Sequence, residues 1–428
     1  MASSDSHFWH PFADMHAVRS AELTLVSGDG VHVTDEDGRR YLDGTASLWN
    51  VNVGHGRTEL ADAAAAQMRE LATYGAFGAF NNPRARELTD RLADLAPVDD
   101  PRIFLTSGGG DSIEVAAKLA RRHFVQQSQP ERVHLISRTQ GYHGTHGLGT
   151  SIGGIPANRT DMGPLDPNAS LVPHDSLEAL EAEIARVGAE RVAAVFVEPV
   201  MGAGGVHQPL PGYVEGVAEL CRRTGVLFVV DAVINGFGRL GTWFAADRFG
   251  VRPDMICFAK GITSGYLPLG GVVISGQIAE PFWEHGGAMF RHGPTYSAHP
   301  TCCAAAMACM DILRREDLLG RGMELEGEIA SALRTLEGHE LVGEIRAGTG
   351  ALGAVAFTPE ALAAHPDLPQ RAFAQARARG VFIRPIGDGV ATSPPLVVTR
   401  EEVDHIAAVI GESLEAVARD LPAAATTG

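Results

Sequence analysis

The sequence is short of several things, and each shortage excludes something. Aromatic residues make up only 6% of its 428 residues, and there are five cysteines: Cys221, Cys257, Cys302, Cys303 and Cys309. None has C-x-x-C spacing, so a thiol metal centre or disulfide framework is not expected. Small buried hydrophobes in a reducing compartment are. An excess of basic charge is also missing. The net charge is −17, which argues against nucleic acid or an anionic membrane as partner. Any anionic ligand must then be held by local donors. No apolar run is long enough for a bilayer, because the uncharged stretch 261–279 is broken by Gly, Ser, Pro and Gln. The start, Met1 to His7, has neither a basic region nor an apolar core, so no export signal is expected and a cytoplasmic protein is.

What is present is an alternation of short apolar runs and helical stretches. A chain of this length exceeds one growing core, so a large and a smaller domain are expected. Strands are predicted at 102–106, 132–137, 192–197, 225–231, 254–259 and 271–275. Helices are predicted at 58–71, 111–126, 177–187 and 212–223. That β-α-β order implies a mostly parallel sheet covered by helices. Residues 1–50 read as irregular apart from a hairpin turning at Asp35–Gly38, and 138–167 as a long loop. After Thr301 the texture changes to helices at 301–315, 320–337 and 368–379, short strands near 341–357 and 381–384, and a last helix from Thr399. This predicts an α+β C-terminal domain. The tail from Pro422 reads as frayed.

Two consecutive buried runs each end in one charge, Asp231 and Lys260, at the sheet edge where open α/β folds place ligands. The pair suits either a salt bridge or a pyridoxal phosphate site, with the lysine as Schiff base and the acid on the pyridinium nitrogen. Ser107-Gly-Gly-Gly110 before a helix offers free N–H groups to a phosphate, or is a tight turn. Gly236–Gly241 matches G-x-G-x-x-G, but Ala232–Asn235 separate it from the strand and Thr242-Trp-Phe follows, which counts against a nicotinamide site. Gly149–Gly153 matches G-x-S-x-G inside the expected loop, without a strand directly before it. His143 and His146 lack nearby acidic or thiol ligands, so no metal is expected. Tyr142 suits stacking on a flat ring, Trp49 a pocket wall, and Arg384 either carboxylate recognition or a surface ion pair.

Taken in order, Trp9-His-Pro-Phe12, Leu42-Asp-Gly44, Gly141-Tyr-His-Gly144, Glu198-Pro199, Asp231 through Gly-Phe-Gly-Arg239, Lys260-Gly261 and Gly293-Pro-Thr-Tyr296 resemble the class III aminotransferases. These are pyridoxal phosphate enzymes of fold type I, and the similarity is nearest to ω-amino acid and amine–pyruvate transaminases. The resemblance implies an N-terminal segment (1–60) packing with the small domain, a large cofactor domain (61–305) and a small C-terminal domain (306–428). It implies a Lys260 aldimine, Asp231 on the pyridine nitrogen, and Tyr142 and Val233 on the two ring faces. Gly109, Gly110, Asp111, His143 and Glu198 would complete the cofactor site. Thr295 would reach the phosphate from a neighbouring subunit of a homodimer, with Phe77 and Phe80 lining the partner's pocket. Trp49, Ala203 and Arg384 would meet substrate, a small amine or ω-amino acid and a 2-oxo acid. Alanine at 203, where glutamate-handling relatives often carry an acid, points to pyruvate.

Two positions depart from the family pattern. Gly110 stands where a serine is usual, and Ala232 where Asp-Glu-Val is usual. The departures leave room for other outcomes. Within the family these are a diaminopelargonate-type transaminase, decarboxylase, aminomutase or racemase, or a silent cofactor binder. From another class, an NAD-dependent oxidoreductase remains.

Overall fold

Runs of Val, Ile, Leu and Phe with no polar face fix the centre of the structure, a computed structural model that describes residues 7–284 and 286–421. The expectation for the tail from Pro422 lies outside these residues. The N-terminal stretch is more regular than its composition suggested. A short helix at Met15–Ala21 leads into β1 (Leu25–Asp29), β2 (His32–Asp35) and β3 (Arg40–Asp43). The expected hairpin is β2–β3. The Asp35 carboxylate shapes its turn, accepting from Asp37 N (3.1 Å) and Arg39 N (2.8 Å).

Seven strands form the central sheet: β4 (Arg102–Thr106), β5 (His134–Arg138), β6 (Ala169–Val172), β7 (Val192–Val197), β8 (Leu227–Asp231), β9 (Met255–Phe258) and β10 (Gly270–Ile274). Their order is β4-β10-β9-β8-β7-β5-β6. All pairings are parallel except those of β10, which runs antiparallel to both β4 and β9. Every residue of β7, β8, β9 and β10 is buried, as expected for strands covered on both faces. The C-terminal ends of β4, β5, β7, β8 and β9 therefore share one edge.

Several expectations need correction. The segment 138–167 is not one loop: it holds a helix at Gly147–Ile152 and a 3₁₀ turn at Pro156–Asn158. Its glycines let it pack, since a Cβ on Gly154 would lie 2.2 Å from Arg138 O. Strands β1 and β6 and the helix Pro83–Leu95 were not anticipated, being short or mixed in polarity. The run 381–384 is not one strand. It splits into β13 (Val381–Phe382), which pairs parallel with β3, and β14 (Arg384–Ile386), which belongs to a third sheet. That sheet, β11 (Val342–Ala347), β12 (Gly353–Phe357), β15 (Gly389–Thr392) and β14, is antiparallel in the order β11-β12-β15-β14. The last helix, Arg400–Arg419, opens on a Thr399/Glu402 capping box.

Arg239 ties these parts together. It is fully buried and donates to Ala351 O (2.9 Å), Pro394 O (2.7 Å) and Asn52 Oδ1 (2.9 Å). Burial pushes its guanidinium down to about 9, opposed by Asp43. Three segments distant in sequence thus meet on one cation.

Candidate active site

The sheet edge collects most of the singled-out residues. Asp231 is the last residue of β8 and lies in register with Cys257 of β9, three residues before Lys260. The strand expected over 254–259 ends one residue early, and Lys260 lies past it instead of closing it. β9 stops at Phe258, and Lys260 opens a 3₁₀ turn, Lys260–Ile262, with a left-handed φ of 48°. A non-glycine residue in that region costs about 1–3 kcal/mol and persists only where packing over-determines it. Here Gly261 is pinned: a Cβ on it would meet Asn52 Nδ2 at 2.5 Å and Phe237 Cβ at 2.9 Å.

Burial lowers the Lys260 amine to about 8, against the attraction of Asp231 and Glu198, which raise it. The acid and the amine thus share one electrostatic environment. Asp231 is itself buried and held from two sides. Its Oδ2 pairs with His143 Nδ1 at 2.8 Å and its Oδ1 accepts from Val233 N at 3.0 Å. His143 is a buried hydrogen-bonding residue, and no cluster of metal-ligating side chains exists among the described residues. Glu198, just past β7, accepts from Tyr142 N (2.9 Å) and Gly202 N (3.1 Å), and burial raises its carboxyl. Burial likewise raises the Tyr142 phenol.

The glycine turn after β4 runs straight into a helix, Gly109–Gln126, which opens two residues earlier than expected. No side chain caps this helix, so the N–H groups of its first turn face outward without an intrahelical acceptor. Val233 overhangs the turn, for a Cβ on Gly109 would lie 2.8 Å from Val233 Cγ1. Asp111 sits in the same turn, but its carboxylate is engaged by the protein. It accepts from Ser107 N (3.2 Å) and lies 3.6 Å from His146 Nδ1.

Trp49 forms the opposite wall. It is buried, has a φ of 62°, and its Nε1 lacks a hydrogen-bond partner. Lys260 Nζ lies 5.9 Å and the Arg384 guanidinium 5.5 Å from its ring centre, within cation–π range. Arg384 is partly buried and has no carboxylate within ion-pair distance among the described residues. Ala203 lies in the loop after Glu198, next to Gly202, where a Cβ would meet Trp49 Cζ3 at 2.9 Å.

Three residues stand apart from this pocket. Phe77 and Phe80 are 57% and 60% exposed, and Thr295 is exposed. Phe77 neighbours the Gly293–Tyr296 stretch: its Cζ would lie 3.7 Å from a Cβ on Gly293.

Two other motifs take structural roles. Gly236–Gly241 opens no helix. A Cβ on Gly241 would meet Met323 Sδ at 2.2 Å, so the glycines allow a close approach between chain segments and provide no dinucleotide turn. Gly149–Gly153 lies on the helix Gly147–Ile152 and its C-cap, with Ser151 Oγ donating to Gly147 O (2.8 Å).

Sequence reasoning missed the supports. Asp43 accepts from Thr45 N (3.1 Å), Ser47 N (2.8 Å) and pairs with His55 Nε2 (2.9 Å), shaping the strained turn that presents Trp49. Asn235 exchanges two bonds of 2.9 Å with Val200, holding the loop after Glu198. Their partners are distant in sequence, so no local pattern announced them.

An uncapped glycine-rich helix start, a buried acid aimed at the same pocket as a depressed lysine, and an orphaned indole N–H fit a phosphorylated aromatic aldehyde. The family described as Aminotransferase class-III matches residues 15–414. This chain is a class III aminotransferase. An omega-aminotransferase of Caulobacter vibrioides is 34% identical over 427 residues, 94% of this chain and 96% of that one. A putrescine–pyruvate aminotransferase of Pseudomonas aeruginosa is 34% identical, covering 97% of this chain and 96% of its own. Among solved structures, an (S)-enantioselective omega-transaminase from Thermomicrobium roseum superposes with a TM-score of 0.91 at 39% identity, covering 96% of each chain. An amine transaminase from an uncultivated Pseudomonas species, described with pyridoxal phosphate bound, gives 0.90 at 36% identity, covering 96% of this chain and 99% of that one. The fold is that of the fold type I pyridoxal phosphate transferases, and this aminotransferase uses that cofactor.

Proposed function

We propose that this aminotransferase moves an amino group from an amine or ω-amino acid to pyruvate. The observation that supports the reading best is Arg384: a partly buried guanidinium without an ion-pair partner among the described residues, sharing the Trp49 ring with Lys260. A planar fork in that position suits a substrate carboxylate. Alanine at 203 leaves no acid to neutralise it.

Pyridoxal phosphate, when bound, supplies an electron sink for the substrate carbanion. The chain supplies the rest. Lys260, lowered to about 8, has an amine that is partly neutral near working pH and so can take a proton from the substrate Cα and return it. Asp231, fixed by His143 and Val233 N, offers a negative charge to a protonated ring nitrogen. The N–H groups of Gly109 and Gly110 suit the phosphate, and Tyr142 and Val233 the two ring faces. Asp111 acts at one remove, closing the turn. Ala232 is fully buried, so the absent family glutamate leaves an apolar, filled site.

The reading includes a homodimer with shared sites, supported by the exposure of Phe77, Phe80 and Thr295 and by Phe77 lying beside Gly293. It keeps the division into 1–60, 61–305 and 306–428, supported by the pairing of β3 with β13. It also places the protein in the cytoplasm, supported by five free, buried thiols.

The test is product analysis. Apolar primary amines and ω-amino acids incubated with pyruvate should yield alanine, faster than 2-oxoglutarate yields glutamate. No alanine from any donor, or turnover of one substrate without an acceptor, would sink the reading.

A further inference from the structure

Arg384 lies on β14, and the turn from β14 to β15 carries Asp388. The Asp388 carboxylate is gripped by both terminal nitrogens of Arg346 on β11, Nη1 at 3.1 Å and Nη2 at 2.6 Å. Nε of the same arginine takes Glu344 Oε2 at 2.7 Å. Its Nη1 also donates to Gly205 O at 3.1 Å, and Gly205 belongs to the loop that holds Gly202 and Ala203. One guanidinium therefore joins the turn behind Arg384 to the loop forming the facing wall.

The junction is built, not incidental. Arg346 is only 11% exposed at its side chain, although its carboxylate partners Asp388 (37%) and Glu344 (60%) reach water, so the burial lies on the arginine's side. Gly205 has a φ of +140°, and a Cβ there would lie 2.5 Å from His207 Nε2 and 3.0 Å from Arg346 Nη1. No other residue lets that carbonyl reach the guanidinium so simply. Beneath it, His207 packs on His174 with ring centres 4.4 Å apart. Burial, Arg346 and His174 push His207 down to about 4, so the arginine faces a neutral His207 ring.

We propose that Arg346, through its Asp388 and Gly205 bonds, is a positioning residue that fixes the Arg384 hairpin against the Ala203 loop and so sets the preference for carboxylate-bearing over apolar substrates. The proposal rests on Arg384 meeting the substrate carboxylate. Carboxylates need the guanidinium held at one place, while apolar amines need only the space beside it. A misplacement near 1 Å costs up to roughly a hundredfold in an oriented contact.

The experiment uses cofactor-loaded enzyme and separates the two half-reactions. Arg346→Gln should raise KM for pyruvate and for a short ω-amino acid roughly tenfold. Its single-turnover rate with an apolar primary amine, read by the visible band of the cofactor, should stay within about twofold of wild type. Arg346→Lys, which keeps charge but not the fork, should recover part of the loss. Asp388→Asn gives a milder route should Arg346→Gln not fold, and should show the same one-sided effect. Melting temperature and cofactor content are measured for each. Parallel changes with both substrate classes, or no change with either, overturn the proposal. Arg384→Gln separates the two claims. If it spares pyruvate, the reading of Arg384 fails and the latch with it. If it impairs pyruvate while the Arg346 and Asp388 variants do not, the latch alone fails.

Discussion

At the scale of single residues, the site runs on burial working against charge. Lys260 is an amine whose solvation has been stripped, lowering it to about 8 although two acids pull the other way. In the protein without cofactor, a lysine-specific acylating reagent should modify Lys260 with a half-maximal rate near pH 8. An exposed lysine titrates near about 10.4. The amine is cationic and unreactive below that point and neutral above it, so the rate rises with pH. Asp231→Asn should move the midpoint further down, because the carboxylate is what raises it. A midpoint unchanged from exposed lysines would mean that the pocket is wet. The same residue is held at φ 48°, and Trp49 at 62°. Two strained non-glycine positions facing each other mark where packing has been committed to chemistry.

At the scale of elements, the helix Gly109–Gln126 is the most exposed to local change. Its start is bare because the N-cap residue, Gly108, has no side chain to cap it, and Val233 overhangs Gly109. Gly109→Ala would set a methyl 2.8 Å from Val233 Cγ1. Overpacking of that kind costs about 1–3 kcal/mol, so pyridoxal phosphate should dissociate roughly ten- to hundredfold more readily. Equilibrium dialysis of the holoenzyme measures this. Undiminished retention would show that the phosphate lies elsewhere. Legibility differs among elements for a physical reason. The helix Thr58–Leu71 and strands β4 and β7 came out of the pattern to the residue, because one period runs through them uninterrupted. The hairpin bearing Arg384 did not, since Ile383 lies between strands of two different sheets.

At the scale of the molecule, the proposed shared site, with Phe77, Phe80 and Thr295 exposed to meet a second subunit, has a direct test. Mixing two disabled variants tests whether sites are shared. Lys260→Ala removes the amine, and Thr295→Asp repels a phosphate held by the other subunit. Unfolded together and refolded, the two should regain roughly a quarter of wild-type sites, since half of the dimers are mixed and each mixed dimer assembles one intact site. Two variants that stay inactive in mixture, or a Thr295→Asp enzyme fully active alone, would refute the shared site. Within one chain, Arg239 plays the equivalent joining part, and three bonds from its two terminal nitrogens to carbonyl oxygens of distant segments explain why a fully enclosed cation is tolerated.

The sequence by itself determined the alternation of buried strands and helices, the pair Asp231 and Lys260, and the ordered motifs of a pyridoxal phosphate transferase. Those depend on local periodicity and on which residue types stand at strand ends. Only the tertiary structure decided that Lys260 sits in a strained turn past its strand, that Asp43 and His55 brace Trp49, and that Arg346 joins Asp388 to Gly205. Each of these rests on contacts between residues that lie in different segments of the chain. Such contacts leave no period in the sequence, because their energy exists only once the chain has closed on itself.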